Sequence, residues 1–314
     1  MSFFNFLSLF IIMIKPTEQE KINIYNRYNK ITYQNAVDDF NKLKKIIEDG
    51  NFRNIKAKSR IGHKAVNYFT EYERLNTSGR YGNLRLNYFD FVVNKNFFLS
   101  KPSIINSMKY TKYKIEEMEK ILQQLFALYC HQPMIFKPYN VCDLILRYNP
   151  KKVLDFTMGW GGRLIGACAC GIEKYIGIEM NINLKNPYER MIEMIKSTNC
   201  ITEIELYFQD CLTIDYSTLD YDFVFTSPPY YDIEIYNNTN NYNSIEEWNN
   251  SFYIPLITNI FSNLKQDGYF CLNIPTKIYD VCVSILGEAS DRIELNKKRR
   301  PNSRYTEYIY IWKK

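Results

Sequence analysis

Four consecutive residues, Ser227-Pro228-Pro229-Tyr230, place a hydroxyl group, a fixed backbone and an aromatic ring directly after a short predicted strand at residues 222–226. The two prolines hold the chain extended and leave carbonyl groups that no adjacent N–H group needs. A rigid carbonyl, a short polar side chain and an aromatic plane together suit a planar ring that bears an amino group. Considered alone, a Pro-Pro pair that merely ends a strand is the alternative interpretation.

A loop with three glycines precedes this motif by about 70 residues. Residues 155–163 read D-F-T-M-G-W-G-G-R, in which Gly159 and Gly161 allow a tight turn and a close approach of a ligand. Leu164 stands where the dinucleotide fingerprint requires its third glycine, so a pyrophosphate site is disfavoured. Glu179, twenty residues after Gly159, ends the next predicted strand, where a carboxylate can accept both hydroxyls of a ribose. A tight turn with a surface glutamate is the alternative.

Both loops follow predicted strands in a region where strands and helices alternate. The predicted strands cover residues 152–156, 174–179, 203–208, 222–226 and 269–273, and the predicted helices cover residues 162–170, 187–197 and 244–264. Residues 291–295 and 305–312 are predicted to pair as an antiparallel hairpin. This alternation with short loops predicts a doubly wound α/β sheet, which binds ligands at the carboxyl ends of its strands.

Over residues 134–314 the chain resembles the S-adenosylmethionine-dependent amino-methyltransferases that modify DNA bases. Residues 155–162 resemble the methionine-binding glycine loop of that family, and Ser227-Pro228-Pro229-Tyr230 matches its catalytic signature, which is the most specific feature. The resemblance implies a Rossmann-like methyltransferase sheet and S-adenosyl-L-methionine as the cofactor. The implied cofactor-binding residues are Phe136, Lys137, Pro138, Asp155, Thr157, Gly159, Gly161, Glu179 and Asp210.

Three of these assignments are specific. By resemblance, residues 136–138 close over the methionine end of the cofactor, Glu179 binds the ribose, and Asp210 contacts the amino group of the adenine. The resemblance begins at residue 134 and does not include the N-terminal region.

The implied reaction is methyl transfer to the exocyclic amino group of a base that has flipped out of the DNA duplex. Tyr230 is expected to stack on this base, while the Pro228 carbonyl and the Ser227 hydroxyl accept hydrogen bonds from the amino group. Catalysis would then rest on positioning and polarisation. A serine is no effective base near pH 7, and serine at position 227 is commoner among the family's cytosine-N4 enzymes, which slightly favours cytosine N4 over adenine N6.

The positive charge of the chain is regional. The 314 residues carry a formal net charge of +6, but residues 51–112 contain twelve basic and three acidic residues, a net charge of +9. Eleven aromatic residues are interleaved with them, as on a surface that tracks a nucleic-acid backbone and stacks bases. This composition predicts a DNA-recognition or accessory region at residues 1–112, mostly helical, and a catalytic domain at residues 113–314. Aromatic residues in a core beneath surface lysines are the alternative.

A second basic cluster lies between the two strands of the predicted C-terminal hairpin. It consists of Lys297, Lys298, Arg299, Arg300 and Arg304. Contact with DNA phosphates is predicted for these side chains. A solvated turn is the alternative, since most charge runs have no partner.

Composition excludes several classes of protein. The eight cysteines form no C-x-x-C pair and the two histidines lie in no ligand cluster, so no metal site is predicted. Cysteines among apolar neighbours indicate a reducing, cytoplasmic compartment. The first fourteen residues are apolar but too short to span a bilayer and lack a basic start. A packed segment, an extension upstream of Met13 and an interfacial anchor stay open there, and no stable membrane association is predicted.

Two other functions compete with DNA methylation. Signatures of the N-P-P-Y type serve RNA and protein-amide methyltransferases, and Ser227 in place of asparagine argues mildly against that class. A nucleic-acid-binding subunit that retains the fold without activity is disfavoured by the intact set of motifs.

Overall fold

The structure is a computed structural model that describes residues 13–54, 59–130, 133–231, 242–295 and 306–314. The chain divides into two compact units. We call the first the helical unit, which comprises Met1–Lys30 and Leu75–Pro133, and the second the sheet unit, which comprises Ile31–Arg74 and Met134–Lys314.

In chain order the α-helices are α1 (Glu18–Tyr28), α2 (Tyr33–Glu48), α3 (His63–Asn76), α4 (Tyr88–Val93), α5 (Lys95–Leu99), α6 (Pro102–Met108), α7 (Met118–Tyr129), α8 (Pro138–Tyr148), α9 (Gly162–Ala169), α10 (Lys185–Ser197), α11 (Ile245–Trp248), α12 (Ile254–Asn263) and α13 (Thr276–Leu286). The strands are β1 (Gly79–Tyr81), β2 (Leu84–Leu86), β3 (Lys152–Asp155), β4 (Lys174–Ile178), β5 (Glu203–Tyr207), β6 (Phe223–Thr226), β7 (Tyr269–Ile274), β8 (Asp291–Leu295) and β9 (Glu307–Lys313). A π-helical turn, Asn249–Tyr253, joins α11 to α12.

The sheet unit is built on a seven-stranded sheet in the order β5-β4-β3-β6-β7-β9-β8. Strands β3 to β7 are parallel, and β9 lies antiparallel between β7 and β8. The chain starts at β3, moves outward to β5 and returns to β6 on the other side of β3, so the order reverses between β3 and β6. In doubly wound sheets ligands bind at the carboxyl ends of the strands beside such a reversal.

Apolar residues on both faces of the central strands explain why helices cover this sheet on both sides. In β6, Phe223 and Phe225 belong to the core cluster on one face, whereas Val224 belongs to the cluster on the other. Strands that are buried on both faces read as continuous apolar runs, which is the pattern of parallel sheets.

The predicted fold class is confirmed. The chain forms a doubly wound, Rossmann-like sheet with an antiparallel C-terminal hairpin, and its described N-terminal residues are mostly helical. The predicted strands from residue 152 onward lie within two residues of the observed bounds. The predicted helix at 244–264 is interrupted by the π-helical turn, which the sequence did not indicate.

The boundary predicted between residues 112 and 113 coincides with neither unit. Residues 31–74 belong to the sheet unit because Phe40 and Leu43 of α2 are fully buried in the same core cluster as Leu164 of α9. Residues 113–133 belong to the helical unit because α7 packs there, with the Phe126 ring centroid 5.7 Å from that of Phe91.

Most aromatic side chains of residues 51–112 lie in the interior. Six of the eleven are buried: Phe52, Phe69, Tyr88, Phe89, Phe91 and Phe98. Tyr110 is instead 86% exposed. The interpretation of these rings as a base-stacking surface is therefore wrong for most of them, because burying an aromatic ring among apolar neighbours removes its face from any nucleic acid.

In the part of the chain that the structure describes, no helix is long and apolar enough to cross a membrane. The same residues contain no group of three or more His, Cys, Asp or Glu side chains that could hold a metal ion.

Candidate cofactor and catalytic site

The loop between β3 and α9 turns through two glycines with positive φ angles. Gly159 has a φ of 58° and Gly161 a φ of 89°, in the left-handed region that side chains disfavour. A Cβ atom added at Gly161 would lie 2.8 Å from Cε of Met191, the end of a flexible side chain that can shift, so the φ angle is what favours glycine there. A Cβ atom at Gly159 would have the Thr157 carbonyl oxygen, at 3.8 Å, as its nearest neighbour among the described residues. This distance is an ordinary van der Waals contact, so the positive φ angle and not a steric clash is what favours glycine at position 159.

Glu179 follows β4 and lies against this loop. Its Oε2 accepts a hydrogen bond from the Gly159 N–H at 2.8 Å, and its Oε1 accepts one from the Asn181 N–H at 2.9 Å. Loss of hydration raises the pKa of Glu179 to about 7, although the two backbone hydrogen bonds favour the carboxylate and oppose that shift. The predicted ribose acid is thus held directly beside the turn glycine.

Asp155 is fully buried at the end of β3, and protein groups bond both of its carboxylate oxygens. Arg163 Nε donates to Oδ2 at 2.7 Å and the Tyr175 hydroxyl donates to the same atom at 2.6 Å. The Thr226 hydroxyl donates to Oδ1 at 2.7 Å. A buried carboxylate is tolerated when it is paired and hydrogen-bonded in this way. These bonds make Asp155 an anchor of the glycine loop, and its direct contact with a cofactor stays a prediction.

The segment Phe136-Lys137-Pro138 lies against the start of α9. A Cβ atom at Gly162 would lie 2.0 Å from the Phe136 carbonyl oxygen, so this close approach requires a glycine. The Phe136 ring meets the Phe225 ring edge-on, with centroids 5.1 Å apart. Lys137 caps α8 and Pro138 is its first residue, where proline is favoured. The segment is thus placed beside the glycine loop, and its contact with a methionine group stays a prediction.

Two threonines join the glycine loop to the four-residue motif. Thr157 Oγ1 lies 2.6 Å from Thr226 Oγ1 and 3.4 Å from the carbonyl oxygen of Ser227. Because β3 and β6 are adjacent parallel strands, the loops that follow them meet at the same edge of the sheet. The structure therefore brings together two motifs that lie about 70 residues apart in the sequence.

Ser227 and Tyr230 form a hydrogen-bonded group with Asn273 of β7. The Ser227 hydroxyl lies 2.7 Å from the Tyr230 hydroxyl, which donates to the Asn273 carbonyl oxygen at 2.6 Å. The Asn273 side chain is buried, and its Nδ2 donates to the Tyr308 carbonyl oxygen at 3.0 Å. The phenol of Tyr230 is thus tied at its hydroxyl end to the neighbouring strand.

The π-helical turn fixes the other side of the same loop. The Tyr253 hydroxyl donates to the Pro229 carbonyl oxygen, and the Tyr231 hydroxyl donates to Asn249 Oδ1 at 2.7 Å. Tyr231 has a φ of 45°, a conformation that a non-glycine residue holds only when its surroundings impose it. Pro228 is buried, and no group in the described residues donates to its carbonyl oxygen. This carbonyl is the one predicted to accept a hydrogen bond from the substrate amine.

Asp210 lies three residues beyond β5, at the same carboxyl edge of the sheet. It is half-buried, and its Oδ1 accepts a hydrogen bond from the Leu212 N–H at 3.0 Å. The neighbouring strands are tied at this edge, since the Glu179 N–H donates to the Tyr207 carbonyl oxygen at 2.9 Å. Asp210 is therefore on the Glu179 side of the glycine loop, and its contact with an adenine stays a prediction.

The basic residues predicted at the hairpin tip, Lys297, Lys298, Arg299, Arg300 and Arg304, lie outside the described residues. The Tyr188 hydroxyl donates to the Gly159 carbonyl oxygen at 3.0 Å. The structure thus identifies supporting residues that the sequence did not suggest: Arg163, Tyr175, Tyr188, Thr226, Asn249, Tyr253 and Asn273. Of these, Arg163 and Thr226 adjoin the motifs and could have been suspected from their position. The others reach the site from distant segments, and no spacing in the sequence reports them.

The strand order and its reversal between β3 and β6 define a doubly wound, Rossmann-like α/β fold. No protein-family model matches the chain, and no curated protein matches it.

Three solved structures with a similar fold were compared. An RNA methyltransferase from Salinibacter ruber, in complex with S-adenosyl-L-homocysteine, has a TM-score of 0.37 and 14% identity, covering 57% of this chain and 93% of that chain. TrmN from Thermus thermophilus has a TM-score of 0.41 and 11% identity, covering 65% of this chain and 68% of that chain. A putative methylase from Haemophilus influenzae has a TM-score of 0.33 and 15% identity, covering 58% and 90%. Because these TM-scores are low, the fold class rests on the strand order of the chain itself.

Proposed function

We propose that this protein transfers a methyl group from S-adenosyl-L-methionine to the exocyclic amino group of a flipped DNA base. The observation that carries the proposal is the contact of Thr157 with Thr226 and Ser227. This contact holds a loop suited to a nucleoside cofactor beside a loop suited to an aromatic amine. A methyl donor and its acceptor nitrogen have to meet at such a junction.

The described residues fit the cofactor at two points. The turn at Gly159 carries no side chain, and the described atom nearest to a Cβ position there, the Thr157 carbonyl oxygen, lies 3.8 Å away. Each oxygen of Glu179 accepts one backbone hydrogen bond, and a carboxylate can accept about four hydrogen bonds in total. Glu179 therefore keeps capacity for both hydroxyls of a ribose, and residues 136–138 and Asp210 are proposed to hold the methionine and adenine ends. When bound, the cofactor supplies an electrophilic methyl group.

The residues of the second loop are proposed to bind and orient the amine. The Pro228 carbonyl accepts one amino hydrogen, and the Ser227 hydroxyl accepts the other after turning from Tyr230. Tyr230 presents its ring to the base while its hydroxyl stays bonded to Asn273. Fixing these acceptors in advance lowers the barrier because the nitrogen lone pair is aimed before reaction and little reorganisation is needed.

Cytosine N4 is favoured over adenine N6 as the accepting atom. Ser227 offers a neutral acceptor and no effective base, in agreement with its resemblance to the cytosine-N4 enzymes. DNA is favoured over RNA because the four-residue motif reads S-P-P-Y and not N-P-P-Y.

The test is incubation of the full chain with tritiated S-adenosyl-L-methionine and separate pools of DNA, RNA and protein. Digestion of the labelled pool followed by nucleoside mass spectrometry then identifies the methylated atom. Label in N4-methylcytosine of DNA supports the proposal, and label in N6-methyladenine corrects the base. Label confined to RNA or protein overturns the choice of DNA.

The control separates lost chemistry from lost cofactor binding. Wild type and Tyr230→Ala are compared for cofactor affinity by calorimetry and for label transfer. Failure of wild type to bind the cofactor at all would overturn the proposal at its first step, whatever the result with the nucleic acids.

A further inference from the structure

All of the net positive charge of the chain resides in the helical unit. That unit contains twelve basic and six acidic residues, whereas the sheet unit contains 28 of each. The net charge of +6 therefore belongs to the helical unit, and the sheet unit with the candidate site is neutral. Uneven charge of this kind indicates a partner of opposite charge for one part of a molecule.

Acidic groups do not neutralise this charge evenly. In the described part of the helical unit, four cations form ion pairs: Lys15 with Asp90, Lys21 with Glu18, Arg27 with Glu119, and Lys120 with Glu117. None of these four cations lies in residues 79–114. The seven cations of that segment form no ion pair within the described residues: Arg80, Arg85, Lys95, Lys101, Lys109, Lys112 and Lys114.

Two of these cations face each other on a β-ribbon. Strands β1 and β2 are antiparallel, and Arg80 lies directly opposite Arg85. Both side chains are exposed, while Leu86, on the opposite face of the ribbon, is 1% exposed. Like charges at directly opposed positions destabilise a ribbon. Arg80 Nε donates to the Gly82 carbonyl oxygen at 3.2 Å, but no ion pair within the described residues offsets the repulsion between the two arginines.

The ribbon is held rigidly on the unit. The Arg80 N–H donates to the Cys130 carbonyl oxygen at 2.8 Å, at the end of α7. A Cβ atom at Gly79 would lie 1.9 Å from that oxygen, so the close approach depends on glycine. Gly82 turns the chain with a φ of 56°, as a two-residue hairpin loop requires.

Further cations lie next to the ribbon. The Tyr81 ring of β1 packs edge-on against Phe98 of α5, with centroids 5.3 Å apart. Lys95 begins α5, and the Lys101 ammonium lies 4.2 Å from the Phe97 ring centroid of the same helix. The ribbon and α5 therefore present arginine and lysine groups from one packed assembly.

We propose that Arg80 and Arg85, together with Lys95 and Lys101, bind the phosphate backbone of the DNA substrate. The proposal rests on the function proposed above, since it assigns that substrate a docking surface. Arginine suits this role because its planar guanidinium binds phosphate oxygens through two parallel hydrogen bonds. Neutralising phosphates also removes the repulsion between the two facing arginines.

The test measures duplex DNA binding by fluorescence anisotropy, without cofactor, over a series of salt concentrations. Each phosphate contact contributes about 0.9 to the slope of log K against log salt for B-DNA. The Arg80→Gln/Arg85→Gln variant of the full chain is therefore expected to lower the magnitude of that slope by about 1.8 and to bind more weakly. The matched control is Arg147→Gln/Lys151→Gln, which removes two exposed cations of the sheet unit and is expected to bind as wild type does.

An unchanged slope in the ribbon variant, or an equal loss in the control, overturns the proposal. The Arg80→Lys/Arg85→Lys variant keeps the charge and is expected to restore most of the affinity, and a melting temperature no lower than that of wild type excludes misfolding. Single-stranded RNA and vesicles of phosphatidylserine serve as competing probes. If the ribbon variant loses binding only to the RNA or only to the vesicles, the surface is assigned to that partner and DNA is excluded as its ligand.

The DNA-binding assay tests the docking surface and the label-transfer assay tests the enzymatic function, so failure of one proposal can be distinguished from failure of the other. A ribbon variant that loses DNA binding while wild-type protein transfers no methyl group leaves the surface standing and removes the enzymatic function. If wild type transfers a methyl group to DNA and the ribbon variant keeps full activity, the enzymatic function stands and the docking surface is removed.

Discussion

The Gly159 N–H donates a hydrogen bond to the Glu179 carboxylate across 2.8 Å. The bond links the loop after β3 to the end of β4, so the turn at Gly159 and the candidate ribose acid form one preorganised group. The pKa of Glu179, raised to about 7 chiefly by loss of hydration, shows that ionisation of this group opposes folding of the free protein.

The Glu179→Gln variant is expected to change how stability depends on pH. The folded protein holds the Glu179 proton more tightly than the unfolded chain, so the contribution of Glu179 is fully present below about pH 4.5 and is lost as the pH rises through about 7. The total change is on the order of 3 kcal/mol. Urea unfolding of wild type and variant between pH 4 and pH 8 measures the difference. The control, Glu193→Gln at an exposed position of α10, should follow wild type, and parallel curves for all three proteins would contradict the assignment.

The Glu179→Ala variant is expected to bind S-adenosyl-L-methionine roughly 10- to 100-fold more weakly, since hydrogen bonds to a charged group contribute about 1.5–3 kcal/mol. Titration calorimetry at pH 8, where the carboxylate of wild type is ionised, gives the dissociation constants. An unchanged dissociation constant would contradict the assignment of Glu179 to the ribose. Glu193→Ala provides the matched control of equal charge change.

Replacement of Tyr230 should separate the ring from its hydroxyl group. Tyr230→Ala is expected to abolish methyl transfer while the dissociation constant of the cofactor stays within about twofold of wild type, because the proposal assigns the ring to the base and not to the cofactor. Tyr230→Phe keeps the ring and loses the bond to the Asn273 carbonyl oxygen at 2.6 Å, for which a cost of about 1 kcal/mol and a partial loss of rate are expected. Equal weakening of cofactor binding in Tyr230→Ala would place the residue in the other pocket.

Tyr253→Phe should make the loop at residues 227–230 less rigid, although Tyr253 itself lies outside that loop. The Tyr253 hydroxyl donates to the partly buried Pro229 carbonyl oxygen, and a hydrogen bond of this kind contributes about 1 kcal/mol. We expect a lower kcat with little change in cofactor affinity, measured by single-turnover label transfer beside calorimetry. The matched control is Tyr221→Phe, which loses a bond from its hydroxyl to the Ile260 carbonyl oxygen at 2.8 Å, away from the loop. If both variants lose stability and rate alike, Tyr253 has no positioning role.

The sequence by itself determined the local features of this protein. Apolar runs such as residues 222–226 predicted the strands, since burial on both faces leaves a continuous apolar pattern. The glycines of residues 159–162 and the prolines at 228 and 229 predicted the two loops, because these residue types constrain the backbone wherever they stand. The alternation of strands and helices predicted a doubly wound α/β sheet, although not the order of its strands.

Tertiary structure alone decided which groups complete the site and which surface is charged. Asn273 and Tyr253 reach the four-residue motif from 43 and 24 residues away, and such contacts depend on how strands and helices pack. Composition predicted a basic, aromatic surface over residues 51–112, but burial withdrew six rings into the cores and left cations at the surface. Apolar rings gain by leaving water whereas unpaired charges must stay in it, so one segment with a mixed composition divides between interior and surface only when the chain folds.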